Sequence, residues 1–184
     1  MKAYIISDSE YENADYQRLD ALLTGYLTEH GYEIKKEALD RKSLAHCIGC
    51  FGCWVKSPGR CAIPDRIDEI NREYIQSDLV VYLSPIIYGQ ISANVKNAID
   101  RWIPNVLPTF YTRKDGSTMH PPRYPYEPQR LMLGYGAASE EDGTLFKDIA
   151  SHLNDVNAFV DTGEDARILN LLNSMTKKAA GGKK

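Results

Sequence analysis

Apolar positions along the chain switch between a period of two and a period near 3.6. Lys2 to Ser7 is a short β-rich run bounded by polar residues, which predicts a buried strand. A polar loop from Asp8 to Ala14 follows. Leu19, Leu22, Leu23, Tyr26 and Leu27 then recur at helical spacing, and Gly31 supplies a stop. Tyr32 to Leu39 alternates as a second strand. Asp65 stands at a cap position, and Asp68 and Glu69 suit the first turn of a helix reaching about Gln76. Leu79 to Leu83 is continuous and β-branched, the pattern of a strand buried on both faces, and Ser84-Pro85 is expected to end it. Ile91, Val95, Ala98, Ile99 and Trp102 form one helical stripe that Pro104 should stop. Residues 104–129 hold six of the nine prolines without a clear period. They predict a long structureless loop, functional or facing another subunit. Leu131 to Gly136 predicts another buried strand, and Leu145, Phe146, Ile149, Leu153 and Val156 a helix. Ala166 to Met175 fits a strand or a helix equally. Residues 177–184 are expected to form a disordered tail, leaving 1–176 as a single domain.

Strands that alternate with helices imply βαβ units, hence an α/β fold with a parallel sheet covered on both faces. In such sheets a ligand sits beyond the carboxyl ends of the strands, at the topological switch point. The loops expected there are Asp8 to Ala14, the stretch around Cys47, Ser84 to Gln90, and Gly134 to Ser139.

Composition adds mainly exclusions. The 184 residues are 43% hydrophobic and 26% charged, with a net charge of −3, as in ordinary soluble domains. That mild acidity argues against a nucleic-acid partner. No apolar run has the length of a membrane span, and the N-terminus lacks a signal-peptide layout, so a cytoplasmic protein is expected. In a reducing compartment, clustered cysteines point to a metal or to redox chemistry rather than to disulfides.

All four cysteines do cluster: Cys47, Cys50, Cys53 and Cys61 read C-x₂-C-x₂-C-x₇-C. With Gly49 and Gly52 between them, the loop can wrap a compact centre and offer N–H groups to its sulfurs. The opening spacing occurs in ferredoxin-type runs, so a 4Fe–4S cluster is one reading. Zinc is a second, although structural zinc sites usually set two C-x₂-C pairs apart. Reduced thiols without metal are a third. The loop Ser84, Pro85, Ile86, Ile87, Tyr88, Gly89 and Gln90 can wrap the edge of a flat ring with its amides while Tyr88 covers part of a face; a plain βα turn is the alternative. In the first loop Ser7, Ser9 and Asn13 can donate to a phosphate at a helix N-terminus. Yet Asp8, Glu10, Glu12 and Asp15 surround them, and no Lys or Arg lies between Lys2 and Arg18. Two like charges about 4 Å apart cost roughly 4 kcal/mol at an intermediate dielectric, so a phosphate fits only if these carboxylates point outward. His46 and His120 read as surface residues first and as site residues second. No serine lies in a nucleophile-elbow pattern.

Together these residues resemble the NAD(P)H-dependent FMN reductase family of the flavodoxin-like superfamily, and within it the iron–sulfur flavoproteins. Three segments carry the resemblance: CIGCFGCWVKSPGRC followed by Asp65, SPIIYGQISANVKNAIDRW with Lys96, Asp100 and Arg101, and the strand end Gly134-Tyr135-Gly136. The resemblance implies a flavodoxin-like three-layer sandwich with a five-stranded parallel sheet of order 2-1-3-4-5. It implies FMN bound by the first loop, by Ser84 to Gln90 and by Tyr135 and Gly136, with NAD(P)H as electron donor and no catalytic side chain required. It implies a homodimer or homotetramer, with a cluster near a neighbouring subunit's flavin, and a small-molecule or protein redox partner. Two departures stand out. The first loop lacks the family's hydroxyl-rich stretch with a basic residue, and the C-terminal part looks short for a full last βα unit. The alternative expectation is a non-enzymatic member that has lost FMN and keeps structural zinc or free thiols.

Overall fold

A computed structural model describes residues 1–153 and 156–181, the last five by backbone only. Five parallel strands form the central sheet: β1 (Lys2–Asp8), β2 (Glu33–Leu39), β3 (Leu79–Ile87), β7 (Gln129–Tyr135) and β8 (Asn157–Val160). Their order is β2-β1-β3-β7-β8. Since β7 and β8 are the fourth and fifth strands of this sheet, that is the expected 2-1-3-4-5 arrangement. Between them run α1 (Ala14–Glu29), a single turn α2 (Gly52–Val55), α3 (Ile67–Gln76), α4 (Ala93–Asp100), α5 (Glu140–Ser151) and α6 (Asp165–Gly181). A two-residue strand β4 (Gln90–Ile91) folds back on the end of β3, and β5 (Tyr111–Thr112) pairs with β6 (Thr118–Met119) in a separate hairpin.

The strands are apolar on both sides because helices cover both sides. Ala3, Ile5, Leu79, Val81, Leu83, Leu131 and Leu133 pack under α1 and α6. Tyr4, Ile6, Val80, Tyr82 and Met132 pack under α3, α4 and α5. One contact of this second layer sets a close spacing. A Cβ on Gly134 would lie 2.6 Å from Phe146 Cε1 of α5 and 2.9 Å from Ile86 Cδ1.

Four expectations change. The strand through Leu83 does not stop at Ser84-Pro85. Pro85 pairs in register with Tyr135, a pairing that leaves the missing N–H harmless, and the strand runs on to Ile87 before turning into β4. The region 104–129 is not structureless. Besides the β5–β6 hairpin, Leu107 N–H donates to Pro121 O (2.9 Å), Arg123 N–H to Asn105 O (2.9 Å) and Arg123 Nε to Pro104 O (2.8 Å). The last βα unit is complete: Asn157–Val160 is the fifth strand, too short to show a period, and 166–175 belongs to α6. The stretch expected as a disordered tail enters α6 as far as Gly181; 182–184 lie outside the described residues.

The segment between β2 and α3 has little regular structure and is held from outside by Arg101, at the end of α4. Its side chain is almost wholly buried. Nη1 donates to Ala45 O (2.9 Å) and pairs with Asp65, and Nη2 reaches Cys61 Sγ at 3.1 Å. Asp65 also accepts from Ala45 N–H (3.0 Å) and from Ile67 N–H (3.1 Å), so it caps α3 from just outside the helix. Asn97 Nδ2 adds a bond to Leu44 O at 3.0 Å. One guanidinium thus ties both ends of the cysteine segment to α4. Burial alone would push the Asp65 carboxyl up; the bonds from Arg101 and the two amides outweigh it and hold the carboxyl below its ordinary value.

Two outcomes follow. Arg101→Met leaves Asp65 half-buried without its cation and should cost about 3–5 kcal/mol, read as a lower urea midpoint. Because the Asp65 pKa is depressed, its contribution is complete above about pH 4, near the ordinary aspartate value, and fades as pH falls further. The variant should therefore lose less stability than the parent as pH falls below about 4. Gly134→Ala forces α5 away from the sheet and should cost about 1–3 kcal/mol in the same assay.

Candidate functional site at the carboxyl edge

The loops after β1, β2, β3 and β7 gather at the carboxyl edge, where a doubly wound sheet places its ligand. After β1 a single 3₁₀ turn (Ser9–Tyr11) precedes α1. Its polar groups are taken up by the chain itself. Ser9 Oγ donates to Leu39 O (3.1 Å), Asn13 Oδ1 accepts from Tyr16 N–H (3.0 Å) as the cap of α1, and Ser7 is buried with its Oγ 3.5 Å from Tyr16 Oη. Asp8 is fully buried. Its Oδ1 accepts from Glu10 N–H (3.0 Å) and Asn94 Nδ2 (3.0 Å), while Oδ2 has no hydrogen-bond partner among the described residues. Glu10 is clamped by Arg41 Nε at 2.7 Å and Nη2 at 3.2 Å, and this bond holds its carboxyl below the usual range.

The nearby cation is thus already matched, and the Asp8 carboxylate turns inward. The condition that the acidic groups point outward is not met at Asp8. A phosphate at the start of α1 would face the buried Asp8 side chain, whose Oδ1 already holds the Glu10 amide and Asn94, and the loop itself carries no Lys or Arg to offset it. Arg41 lies in an ordinary polar stretch, and Asn94, although inside a segment that carries the family resemblance, has no signal of its own; each gains its role only through the fold.

The loop after β3 is a tight hairpin. Ile86 pairs with Ile91 and Ile87 with Gln90, leaving Tyr88 and Gly89 as a two-residue turn. Both have positive φ, +49° and +72°, the signature of a type I′ turn. Such turns favour asparagine or glycine, and a bulky residue held there stores roughly 1–3 kcal/mol of strain. Tyr88 nevertheless occupies it with 89% of its surface exposed. Beneath the tip, a Cβ on Gly89 would come within 2.7 Å of Leu145 Cδ2. Ser84, Pro85 and Ile86 are buried in the neck, where Ser84 Oγ accepts from Ser92 N–H (3.0 Å) and donates to Pro85 O (2.9 Å). At the surface stand Tyr88 and Gln90, with Ile87 half-buried. Tyr135 is buried and donates to Tyr11 O at 3.0 Å, burial and the nearby Asp8 charge pushing its phenol up. Gly136 follows at φ +71° with open space beside it.

The cysteine loop completes the edge. Cys47 and Cys50 are exposed; Cys53 and Cys61 are half-buried. Burial pushes the Cys53 thiol up, and its neighbours Cys61, Cys50 and Cys47 add to that. Among the described residues, no three His, Cys, Asp or Glu side chains are gathered closely enough to hold a metal ion. The donor set is nevertheless chemically suited to an iron–sulfur or zinc centre, with four thiols on one loop that bends through Gly49 (φ +63°) and Phe51 (φ +51°). Phe51 stacks on Trp54, whose Nε1 donates to Val106 O at 3.0 Å and pins the loop to the segment after α4. His46 is exposed, and His120 lies against Trp54 and Phe110 with Nδ1 3.0 Å from Thr109 O. Ile48, Phe51, Val55 and Phe110 remain exposed around this loop.

The chain is similar in sequence and in fold to known proteins. The chain is 37% identical over 112 residues to an iron–sulfur flavoprotein of Archaeoglobus fulgidus, covering 60% of this chain and 49% of that protein. It is 34% identical over 101 residues to an iron–sulfur flavoprotein of Methanocaldococcus jannaschii, covering 55% and 51%. The chain therefore spans about half the length of the curated relatives it matches. In fold it is similar to an NAD(P)H:quinone oxidoreductase from Methanothermobacter marburgensis, with a TM-score of 0.63 at 16% identity over 96% of this chain and 94% of the other. An FMN-dependent NADH-azoreductase from Bacillus anthracis in complex with FMN gives a TM-score of 0.55 at 14% identity over 97% of each chain. Residues 1–113, more than half of the chain, match the family model described as NADPH-dependent FMN reductase, and the chain belongs to that family.

Proposed function

We propose that this chain is a flavin-dependent oxidoreductase whose ring site lies at the carboxyl edge, against the hairpin tip Ile87, Tyr88, Gly89 and Gln90 and the open backbone at Gly136. The observation that carries this reading is Tyr88. An aromatic side chain held at positive φ, exposed and backed by a helix, is a costly arrangement that serves to present a flat face to a flat ligand. When bound, a flavin there would supply hydride acceptance from NAD(P)H and release of electrons in pairs or singly. The chain's own part is to offer backbone N–H groups of the hairpin to the ring edge and to shield one face with Tyr88. No side chain needs to act as acid or base.

Cys47, Cys50, Cys53 and Cys61 would hold a 4Fe–4S cluster, with Arg101 donating to the sulfur of Cys61. The exposed apolar side chains around this loop would meet a second copy of the chain in a homodimer or homotetramer. The final acceptor is a small molecule or a redox protein. Among the described residues no helix is long and apolar enough to cross a membrane.

Asp8 favours a second reading, a member of the family that keeps the fold and the thiol loop without FMN. Purification without oxygen, a visible spectrum, and iron, zinc and flavin analysis separate the two. The first predicts a flavin spectrum with about four irons per chain. A colourless protein that refuses both FMN and riboflavin would leave only the second.

Two sets of variants sharpen this. Cys50→Ser and Cys53→Ser should remove iron and leave flavin in place; loss of both together contradicts separate sites. Asp8→Asn removes the buried charge from the phosphate loop and should tighten FMN binding about tenfold, roughly 1.4 kcal/mol, while riboflavin affinity stays level. Equal gains for both ligands would show that Asp8 does not act on the phosphate.

A further inference from the structure

Cys61 is held differently from the other three thiols. Cys47 and Cys50 are exposed and Cys53 is half-buried, and among the described residues none of these three sulfurs accepts from a side chain. Cys61 is gripped at both ends. Its N–H donates to Asp68 Oδ1 at 2.9 Å, and Asp68 Oδ2 is held by Arg60 Nε at 3.1 Å. Its Sγ accepts from Arg101 Nη2 at 3.1 Å. The Arg101 side chain is 1% exposed, so little water screens its charge from that sulfur. Nη1, paired with Asp65 and donating to Ala45 O, fixes the plane of the guanidinium and so the aim of Nη2.

The reduction potential of an iron–sulfur cluster follows its net charge, the hydrogen bonds to its sulfurs and its exposure. Reduction adds negative charge that the sulfurs share, so an N–H aimed at one of them favours the reduced state. A buried cation beside the same sulfur acts in the same direction, and a carboxylate behind that cation acts against it. Arg101 supplies the first two and Asp65 the third. Two other cations of the loop are placed differently: Lys56 is exposed, and Arg60 is 76% exposed and matched by Asp68.

We propose that Arg101 and Asp65 together set the reduction potential of the cluster carried by the four cysteines. The guanidinium raises it through the sulfur of Cys61, and the carboxylate holds part of that rise back. The proposal rests on the 4Fe–4S reading of the cysteine loop and adds to it the residues that tune the centre. One electron enters, from the reduced flavin of that reading or from dithionite in a titration. Arg101 binds no iron and transfers no proton; it is a positioning residue for the sulfur of Cys61. A purely mechanical clip makes a different prediction, since loss of either partner would then loosen the loop alike.

The full chain, purified without oxygen and assayed for iron, is titrated with dithionite through redox mediators while electron paramagnetic resonance follows the reduced cluster. Arg101→Lys keeps the charge but cannot hold Asp65 and Cys61 together, so its midpoint should fall. At the parent's midpoint the ratio of oxidised to reduced cluster should rise about tenfold, or about 59 mV for one electron. Asp65→Asn keeps the size and one acceptor while removing the charge, and its midpoint should rise. Lys56→Gln removes an exposed cation from the same loop and should change the ratio less than about twofold. Unchanged midpoints in the Arg101 and Asp65 variants, or shifts in the same direction, would overturn the proposal while leaving the cluster in place. If Arg101→Lys loses its iron or does not fold, Asp65→Asn decides alone, and a midpoint at or below the parent's rejects the tuning role. A parent chain that takes up no iron removes the cluster reading itself, and the proposal with it.

Discussion

The buried ion pair between Arg101 and Asp65 is the joint on which the carboxyl edge depends. The four cysteines sit on a segment whose own regular structure is a single helical turn. A segment of that kind has few local bonds with which to fix its shape. Arg101 supplies the fixing from the end of α4, which follows the central strand β3 after the short hairpin into β4. It grips Ala45 before the cysteines and Asp65 and Cys61 after them. A lysine could satisfy one of these acceptors but could not reach all three from one rigid plane. The same clip aligns α3, because Asp65 is also the acceptor for the first amide of that helix.

Much of the fold was legible because the strongest strands are buried on two faces and therefore read as unbroken apolar runs. Leu79 to Leu83 and Leu131 to Gly134 could hardly be anything else. The pieces that escaped did so for identifiable reasons. Asn157–Val160 is four residues long, too short for any period. The strand β3 was expected to end at Pro85, yet a parallel pairing tolerates a proline whose N–H is not called upon. Residues 104–129 carry their order in side-chain to backbone bonds from Arg123 and in backbone pairs, which leave no trace in hydrophobic spacing.

The candidate site was legible in place more than in detail. Its loops are where the alternation of strands and helices put them, and Arg101 and Asp65 were present in the segments that marked the family. What charge counting could not decide was the direction of Asp8. A run of acidic residues in a loop is usually solvated; here one of them is drawn inside by the amide of Glu10 and the side chain of Asn94, which comes from a helix some 86 positions later in the chain. Phosphate recognition is thus contested by a carboxylate of the protein itself, a feature that appears only once α4 is packed against β1.

Gly134 has a reach beyond the core in which it lies. The absence of a single methyl group there lets Phe146 settle onto the sheet, and its neighbour Leu145 then meets Gly89 under the hairpin. The elevation of Tyr88 above the carboxyl edge is therefore a stack of tolerances: sheet, ring, helix, leucine, turn. Side-chain size at one position in the middle of a strand gauges the height of an aromatic platform on the surface.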